Sequence, residues 1–221
     1  QTIQGKIALA IRRITDERVT LHGAGRTDAG VHAMGQVAHF HTSSRIPAER
    51  IAHAINGNLP DDIVIIEATE VPLSFHARFD VVRKTYRYMI LNREYPSALR
   101  CRFACHIREP LDLAAMKQAA ASIVGTHDFR AFCSEARTKK NTIRTLERLD
   151  VERSSDTITI TATGAGFLYN MVRAVAGTLL LAGRRKISPV EVSRILRDRD
   201  RAHAGPTMPP EGLCLLSIVY P

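Results

Sequence analysis

The 221-residue sequence predicts an α+β fold of two related α/β halves, with helices packed on largely antiparallel sheets and a cleft framed between the halves. Three observations lead there. Segments with helical spacing interleave with alternating, strand-like runs in the first half of the chain. The second half repeats that pattern. The stretch Val19-Thr20-Leu21-His22-Gly23-Ala24-Gly25 is also echoed by Ile160-Thr161-Ala162-Thr163-Gly164-Ala165-Gly166, so each half presents a strand ending in Gly-Ala-Gly.

The elements follow in order. Ile3, Ile7, Ile11 and Ile14 recur at helical spacing and open the chain with an amphipathic helix. A strand through Val19–Leu21 runs into the glycines, and Gln36–Thr42 alternates as a strand does. Pro47 suits the first turn of a helix reaching about Ile55, stopped by Asn56-Gly57-Asn58. Asp62–Val71 is β-rich, and Arg78–Leu91 alternates through Phe79, Val81, Tyr86, Tyr88 and Ile90. In the second half a helix spans about Leu111–Ile123 and ends at Gly125. Strands over Thr142–Glu152 and Thr157–Thr163 are joined by a turn at Ser154-Ser155-Asp156. Leu168, Met171, Val172, Val175 and Leu179 form the apolar stripe of a helix, with Arg173 on another face beside Asn170 and Gly177. Ser188-Pro189-Val190-Glu191 reads as a capping box, Pro206–Gly212 as a loop and Leu213–Val219 as a closing strand.

Composition narrows the function. Hydrophobic residues make up 45% and charged residues 24%, enough for a buried core and against wholesale disorder. The longest membrane-span candidate, Val175–Ala182, is interrupted by Gly177 and flanked by Arg173 and Arg184. With no basic head and apolar stretch at the start, the reading is a soluble cytoplasmic protein without a signal peptide. A net charge of +9 points to a polyanionic partner, because each phosphate contact releases condensed counterions. Of the four cysteines only Cys101 and Cys105 are close, beside His106, so zinc-type spacing is incomplete and free, mostly buried thiols are expected. His39 and His41 share a strand face and read as polar surface rather than a metal site.

The most unusual stretch is Gly23-Ala24-Gly25-Arg26-Thr27-Asp28-Ala29-Gly30-Val31-His32-Ala33. Its third glycine comes too late for a dinucleotide fingerprint and a strand follows instead of a helix, while Val31-His32 stand where a phosphate loop needs Lys and Ser or Thr. Two readings of Asp28 remain. One is structural, an Asp accepting turn N–H groups beside an Arg. The other is a positioned carboxylate acting as nucleophile or base.

From Gly25 to Ala33 the segment resembles the signature of the TruA family of tRNA pseudouridine synthases. Further matches follow in order: Phe75-His76-Ala77-Arg78-Phe79, Lys84-Thr85-Tyr86-Arg87-Tyr88, Gly125-Thr126-His127-Asp128-Phe129, Gly166-Phe167-Leu168-Tyr169-Asn170-Met171-Val172-Arg173 and Pro209-Pro210-Glu211-Gly212-Leu213. The resemblance covers essentially the whole chain. It departs at the start, since the family opens with a strand bearing a Tyr-Asp-Gly-type motif and a Gly-Trp-Gln-type segment, and this chain begins after both. A truncated or partly observed protein, with an exposed sheet edge, is the expectation there. Met208 stands where the family often has Ala.

The resemblance implies isomerisation of uridine to pseudouridine, a reaction needing a nucleophile and no redox cofactor or metal. It implies that Asp28 attacks C1′ of the ribose or C6 of the uracil, that Arg173 pairs with Asp28 and keeps it anionic, and that Tyr86 stacks on the flipped base. A role for the Tyr86 hydroxyl in removing the C5 proton is a further expectation. Arg26 matches the arginine that assists base extrusion, or reaches the neighbouring phosphate instead. The expected division is an N-terminal α/β domain at 1–76 carrying the catalytic Asp and a C-terminal α/β domain at 77–221, with the active-site cleft between them. The implied substrate is the anticodon stem-loop of tRNA, at positions thirty-eight to forty, and the implied assembly is a homodimer. Arg83-Lys84 with Arg87, Arg137 with Lys139-Lys140, and Arg184-Arg185-Lys186 are candidate phosphate contacts. Two rivals stand beside this reading: an RNA-binding module with impaired catalysis, and a carboxylate-dependent glycosidase, which needs a second acid near Asp28.

Overall fold

The computed structural model describes residues 2–134 and 141–221. Helix α1 (Ile3–Thr15) starts where the Thr2 hydroxyl accepts the Gly5 N–H at 3.1 Å, and it stops at Asp16, which turns left-handed with φ 57. Ile11 is fully buried and Ile7 and Ile14 partly so, whereas Ile3 is exposed, so the buried stripe begins one turn after the apolar spacing does. Three two-residue strands follow: β1 (His22–Gly23), β2 (His32–Ala33) and β3 (Ala38–His39). Strands β1 and β3 pair antiparallel. Helix α2 (Ala48–Asn56) buries Ile51 and Ile55 against the same small core as Ile11 and Leu21.

The expected strands at Val19–Leu21, Gln36–Thr42 and Asp62–Val71 are therefore present only as the fragments β1 and β3, or not at all. The third run shows why. Ile63 and Ile65 face inward and Val64 and Ile66 outward, as in a strand, but the backbone N–H and C=O of Ile65 both bond to the Asn56 carboxamide, at 2.7 and 2.8 Å. Alternation reports which face is buried; it does not supply a neighbouring strand.

The rest of the chain builds a larger sheet with helices on it. In order come β4 (Arg83–Asn92), β5 (Cys105–Ile107), α3 (Leu113–Ala121), β6 (Gly125–Asp128), β7 (Ile143–Ser154), β8 (Thr157–Gly164), α4 (Met171–Gly183), α5 (Pro189–Asp198) and β9 (Leu213–Val219). Strand order is β2-β9-β4-β8-β7-β6, with β5 added on β4. Among the described residues only β2–β9 and β4–β5 are parallel, so the α+β, largely antiparallel expectation holds. The short strands β2, β5 and β6 are not among the elements the sequence predicts. Along β8, Ile158, Ile160 and Ala162 are buried while the intervening threonines are half-exposed. The buried face meets α4, whose residues are submerged almost all round, and α3, capped by Asp112 onto the Ala115 N–H at 3.0 Å. Each fully buried Ile, Leu or Phe of this core contributes about 1.5–3 kcal/mol. The Ser188–Glu191 capping box opens α5 with both of its hydrogen bonds made.

Contacts divide the chain into Gln1–Arg26 with Val37–Asp80, and Thr27–Gln36 with Val81–Pro221. This differs from the expected 1–76 and 77–221 in two respects. The boundary falls after Asp80, whose carboxylate accepts the His76 N–H at 2.7 Å, while Val82 already bonds to the Val219 carbonyl of β9. The Asp28 segment also belongs with the second unit, because β2 pairs with β9. Among the described residues no helix is long and apolar enough to cross a membrane.

Candidate active site

Asp28 is placed by the backbone of the segment that carries it. Its carbonyl accepts the Val31 N–H at 3.1 Å, closing a turn that Gly30 completes at φ +83, where a side chain would press on Pro210. After the turn β2 runs parallel to β9, the Met34 N–H bonds to the Leu215 carbonyl at 2.8 Å, and Val31 packs on the main core. Gly35 continues the contact; a Cβ there would lie 2.5 Å from the Leu216 carbonyl oxygen. This anchoring leaves the Asp28 side chain 31% exposed, open to a ligand at one side.

Arg173 reaches Asp28 from the first turn of α4. Its Nη1 donates to Asp28 Oδ2 at 3.0 Å and to Asn170 Oδ1 at 2.8 Å, and its Nε donates to the Met208 carbonyl at 2.6 Å. The Met208 N–H returns to the Arg173 carbonyl at 3.3 Å. Met208 is brought this close by two glycines. Gly177 on α4 and Gly205 lie so near that a Cβ on either would overlap the other strand of chain, and the Gly205 N–H is held by the Thr178 hydroxyl at 2.8 Å. The guanidinium, 14% exposed, is thus fixed in its plane by three acceptors. A shielded, multiply bonded ion pair of this kind is worth more than a surface pair.

Tyr86 lies on β4 at an irregularity. The β4–β9 register slips between Thr85 and Tyr86, leaving Leu216 as the extra residue on β9. The ring packs edge-on against Phe167 at 5.0 Å between centroids and is partly buried on the main core. Burial first, and then the nearby negative charge of Asp28, push its phenol up to about 12. Tyr86 is therefore protonated around neutrality, a hydrogen-bond donor rather than a phenolate base. Tyr88, two residues on, is fully buried and donates to the Pro209 carbonyl at 2.8 Å, the behaviour of a core tyrosine.

Asp28, Arg173 and Tyr86 thus lie in one unit, with Asp28 bonded to Arg173 and its charge felt at Tyr86. Arg26 is exposed and belongs to the first unit. Asn170, Met208 and Phe167 were not assigned roles from sequence, although the helical spacing had put Asn170 on the Arg173 face. Two candidate phosphate clusters are partly engaged in ion pairs: Arg83 with Glu147 at 2.7 Å, Arg184 with Glu109 at 3.0 Å and Arg185 with Asp112 at 2.8 Å. The third, Arg137 with Lys139 and Lys140, lies outside the described residues. Cys105, Cys133 and Cys214 are buried free thiols and Cys101 an exposed one. His22, His39, His41 and His76 gather in the first unit, yet among the described residues no group of three or more His, Cys, Asp or Glu is placed to hold a metal. An open recess of about 510 Å³ is lined by His127, Asp128, Arg197 and Arg199 among others and includes none of the four predicted site residues.

The family model described as tRNA pseudouridine synthase matches residues 1–80 and 119–221. The chain is 48% identical over 219 residues to the tRNA pseudouridine synthase A of Thermoanaerobacter sp. (strain X514), covering 99% of this chain and 90% of that protein. The same identity and coverage hold for the tRNA pseudouridine synthase A of Brevibacillus brevis. The protein of that name from Acetivibrio thermocellus is 46% identical over 220 residues, 100% of this chain and 90% of its own length.

Proposed function

The chain belongs to the tRNA pseudouridine synthase family, isomerases of uridine in tRNA, and we propose that Asp28 is its nucleophile and Arg173 the group that positions it. The observation that supports this most is the Arg173–Asp28 ion pair, half-shielded, with the Tyr86 ring beside it. An open carboxylate held from behind by a guanidinium through Oδ2 can direct its other oxygen at a substrate atom. The reaction breaks the N1–C1′ bond, joins C5 to C1′ and loses the C5 proton while N1 gains one, so atoms balance without an oxidant or reductant. In the C1′ route a carboxylate oxygen displaces uracil, the base turns, and C5 displaces the carboxylate. In the C6 route the carboxylate adds to the ring and is expelled after the base has turned. Either way the base leaves its stack, and Tyr86, backed by Phe167, offers a face to hold it. With its phenol protonated around neutrality, Tyr86 meets the displaced base as a stacking face with a hydroxyl donor.

Arg26, exposed two residues before Asp28, is assigned to the displaced nucleotide, through the base it replaces in the stack or the adjoining phosphate. The anticodon stem-loop, positions thirty-eight to forty, is the proposed target, with a homodimer acting in the cytoplasm. The test is to incubate an unmodified tRNA transcript with the protein and map pseudouridine by position. Pseudouridine at one or more of those three positions is expected. Pseudouridine elsewhere would refute the target, and free uracil without pseudouridine would identify a glycosidase.

A further inference from the structure

We propose that Asn170 is a positioning residue, which sets the Arg173 guanidinium on the Asp28 carboxylate and ties that pair to Ser134. The inference rests on the reading of Asp28 as nucleophile and extends it to a residue that does not touch the substrate.

Asn170 occupies the N-cap position of α4, where a residue normally adopts extended dihedrals and bonds its side chain to the first helical N–H groups. Here φ is 61 and ψ 5, in the left-handed region, and the side chain makes no cap bond. Asparagine tolerates that region better than other residues with a Cβ, but the helix forgoes the stabilisation its cap residue would otherwise give. A departure of this kind beside a reactive carboxylate calls for a function.

The side chain shows where the bonding capacity went. Oδ1 accepts from Arg173 Nη1 at 2.8 Å, and Nδ2 donates to Ser134 Oγ at 3.0 Å. The orientation of the amide is set by its neighbours, because a flipped carboxamide would turn its NH₂ onto the guanidinium. Nη1 of arginine carries two hydrogens; one goes to Asp28 and the other to Asn170, so the same nitrogen serves both. Without Asn170 the guanidinium keeps the Met208 carbonyl at Nε but loses the acceptor that fixes Nη1 beside Asp28. Ser134 in turn holds the carboxamide from a segment thirty-six positions away in the chain, so the site's geometry depends on where that segment lies.

Asn170→Gly isolates the side chain, since glycine adopts a positive φ without strain. The expected result is a kcat lowered about tenfold or more, the size of a lost hydrogen bond to a charged group, with KM and tRNA affinity close to the parent's. In an Arg173→Lys background the same substitution is expected to add little, because the partner that Asn170 positions is gone. Ser134→Ala is expected to lower kcat by a smaller factor. A parental kcat in Asn170→Gly would overturn the proposal. So would a loss of kcat matched by equal losses of melting temperature and tRNA affinity, or a full additional loss in the Arg173→Lys background. An Asp28→Asn control separates the two readings: turnover surviving there overturns the nucleophile, whereas an inactive control with parental Asn170→Gly overturns the positioning role alone.

Discussion

Gly177→Ala should impair catalysis through a residue that meets no substrate. In an exposed helix the exchange would gain about 1 kcal/mol from the better helical propensity of alanine. At this position a Cβ would instead overlap the Pro206 carbonyl, far inside the 3.0 Å that real contacts respect. The obstacle is backbone on both sides, so it cannot rotate away; overpacking of this sort costs about 1–3 kcal/mol. The two effects leave a net loss of up to about 2 kcal/mol. The displacement matters more than the stability. The 205–208 segment has to retreat by about 1 Å, and it carries the Met208 carbonyl that holds Arg173 Nε, so the guanidinium shifts against Asp28; a misplacement of that size can lower a rate about 100-fold. Thermal unfolding together with single-turnover pseudouridine formation measures both. A variant with parental melting temperature and parental rate would refute the close approach of Gly205–Met208 to α4 and its role in setting Arg173.

Two further expectations follow from the same geometry. Arg173→Lys keeps the charge but cannot meet Asp28, Asn170 and the Met208 carbonyl from one planar group, so single-turnover rate should drop at least about tenfold while a binding isotherm for tRNA changes little. Tyr86, with its phenol raised, contributes stability that is fully present below the unfolded phenol's value of about 10 and is lost as pH rises through about 12. Denaturant unfolding from pH 9 to 12 should therefore show stability falling with pH, and falling less steeply in Tyr86→Phe; identical slopes would count against the buried, Asp28-facing phenol.

How much of this could be read from the sequence depends on the range of the interaction. The β7–β8 hairpin, the α5 capping box and strand β9 were legible because their determinants lie within a few residues of one another: alternation, a tight turn, and Ser188 three residues before Glu191. Strands over Val19–Leu21 and Asp62–Val71 were not, since a strand needs a partner and Ile65 bonds to a side chain instead. The residence of Asp28 in the second unit escaped the sequence for a related reason. It depends on β2 joining β9 across 182 positions, from His32 to Cys214, and a two-residue strand has too little pattern to announce itself. At the site, the spacing along α4 placed Asn170 and Arg173 on one face, and motif resemblance singled out Asp28, Tyr86 and Arg173. The resemblance also implied the Arg173–Asp28 pair, but the bonds of Arg173 to Asn170 and to the Met208 carbonyl did not follow from either. The Met208 carbonyl is a backbone group, so nothing about the methionine side chain could mark it, and its position is decided by the contact of Gly177 with Gly205. The αL backbone of Asn170 is another fact that residue type permits but does not dictate.

The central claim is that Asp28 is the attacking carboxylate, and the most direct measurement is tritium release from tRNA carrying 5-tritiated uridine, compared between the parent and Asp28→Asn at matched folding. Asparagine preserves the size of the side chain and its acceptor toward Arg173, and removes the nucleophilic oxygen. Release by the parent and none above background by the variant is the expected result, with tRNA binding retained in both. Equal release from the two proteins would contradict it.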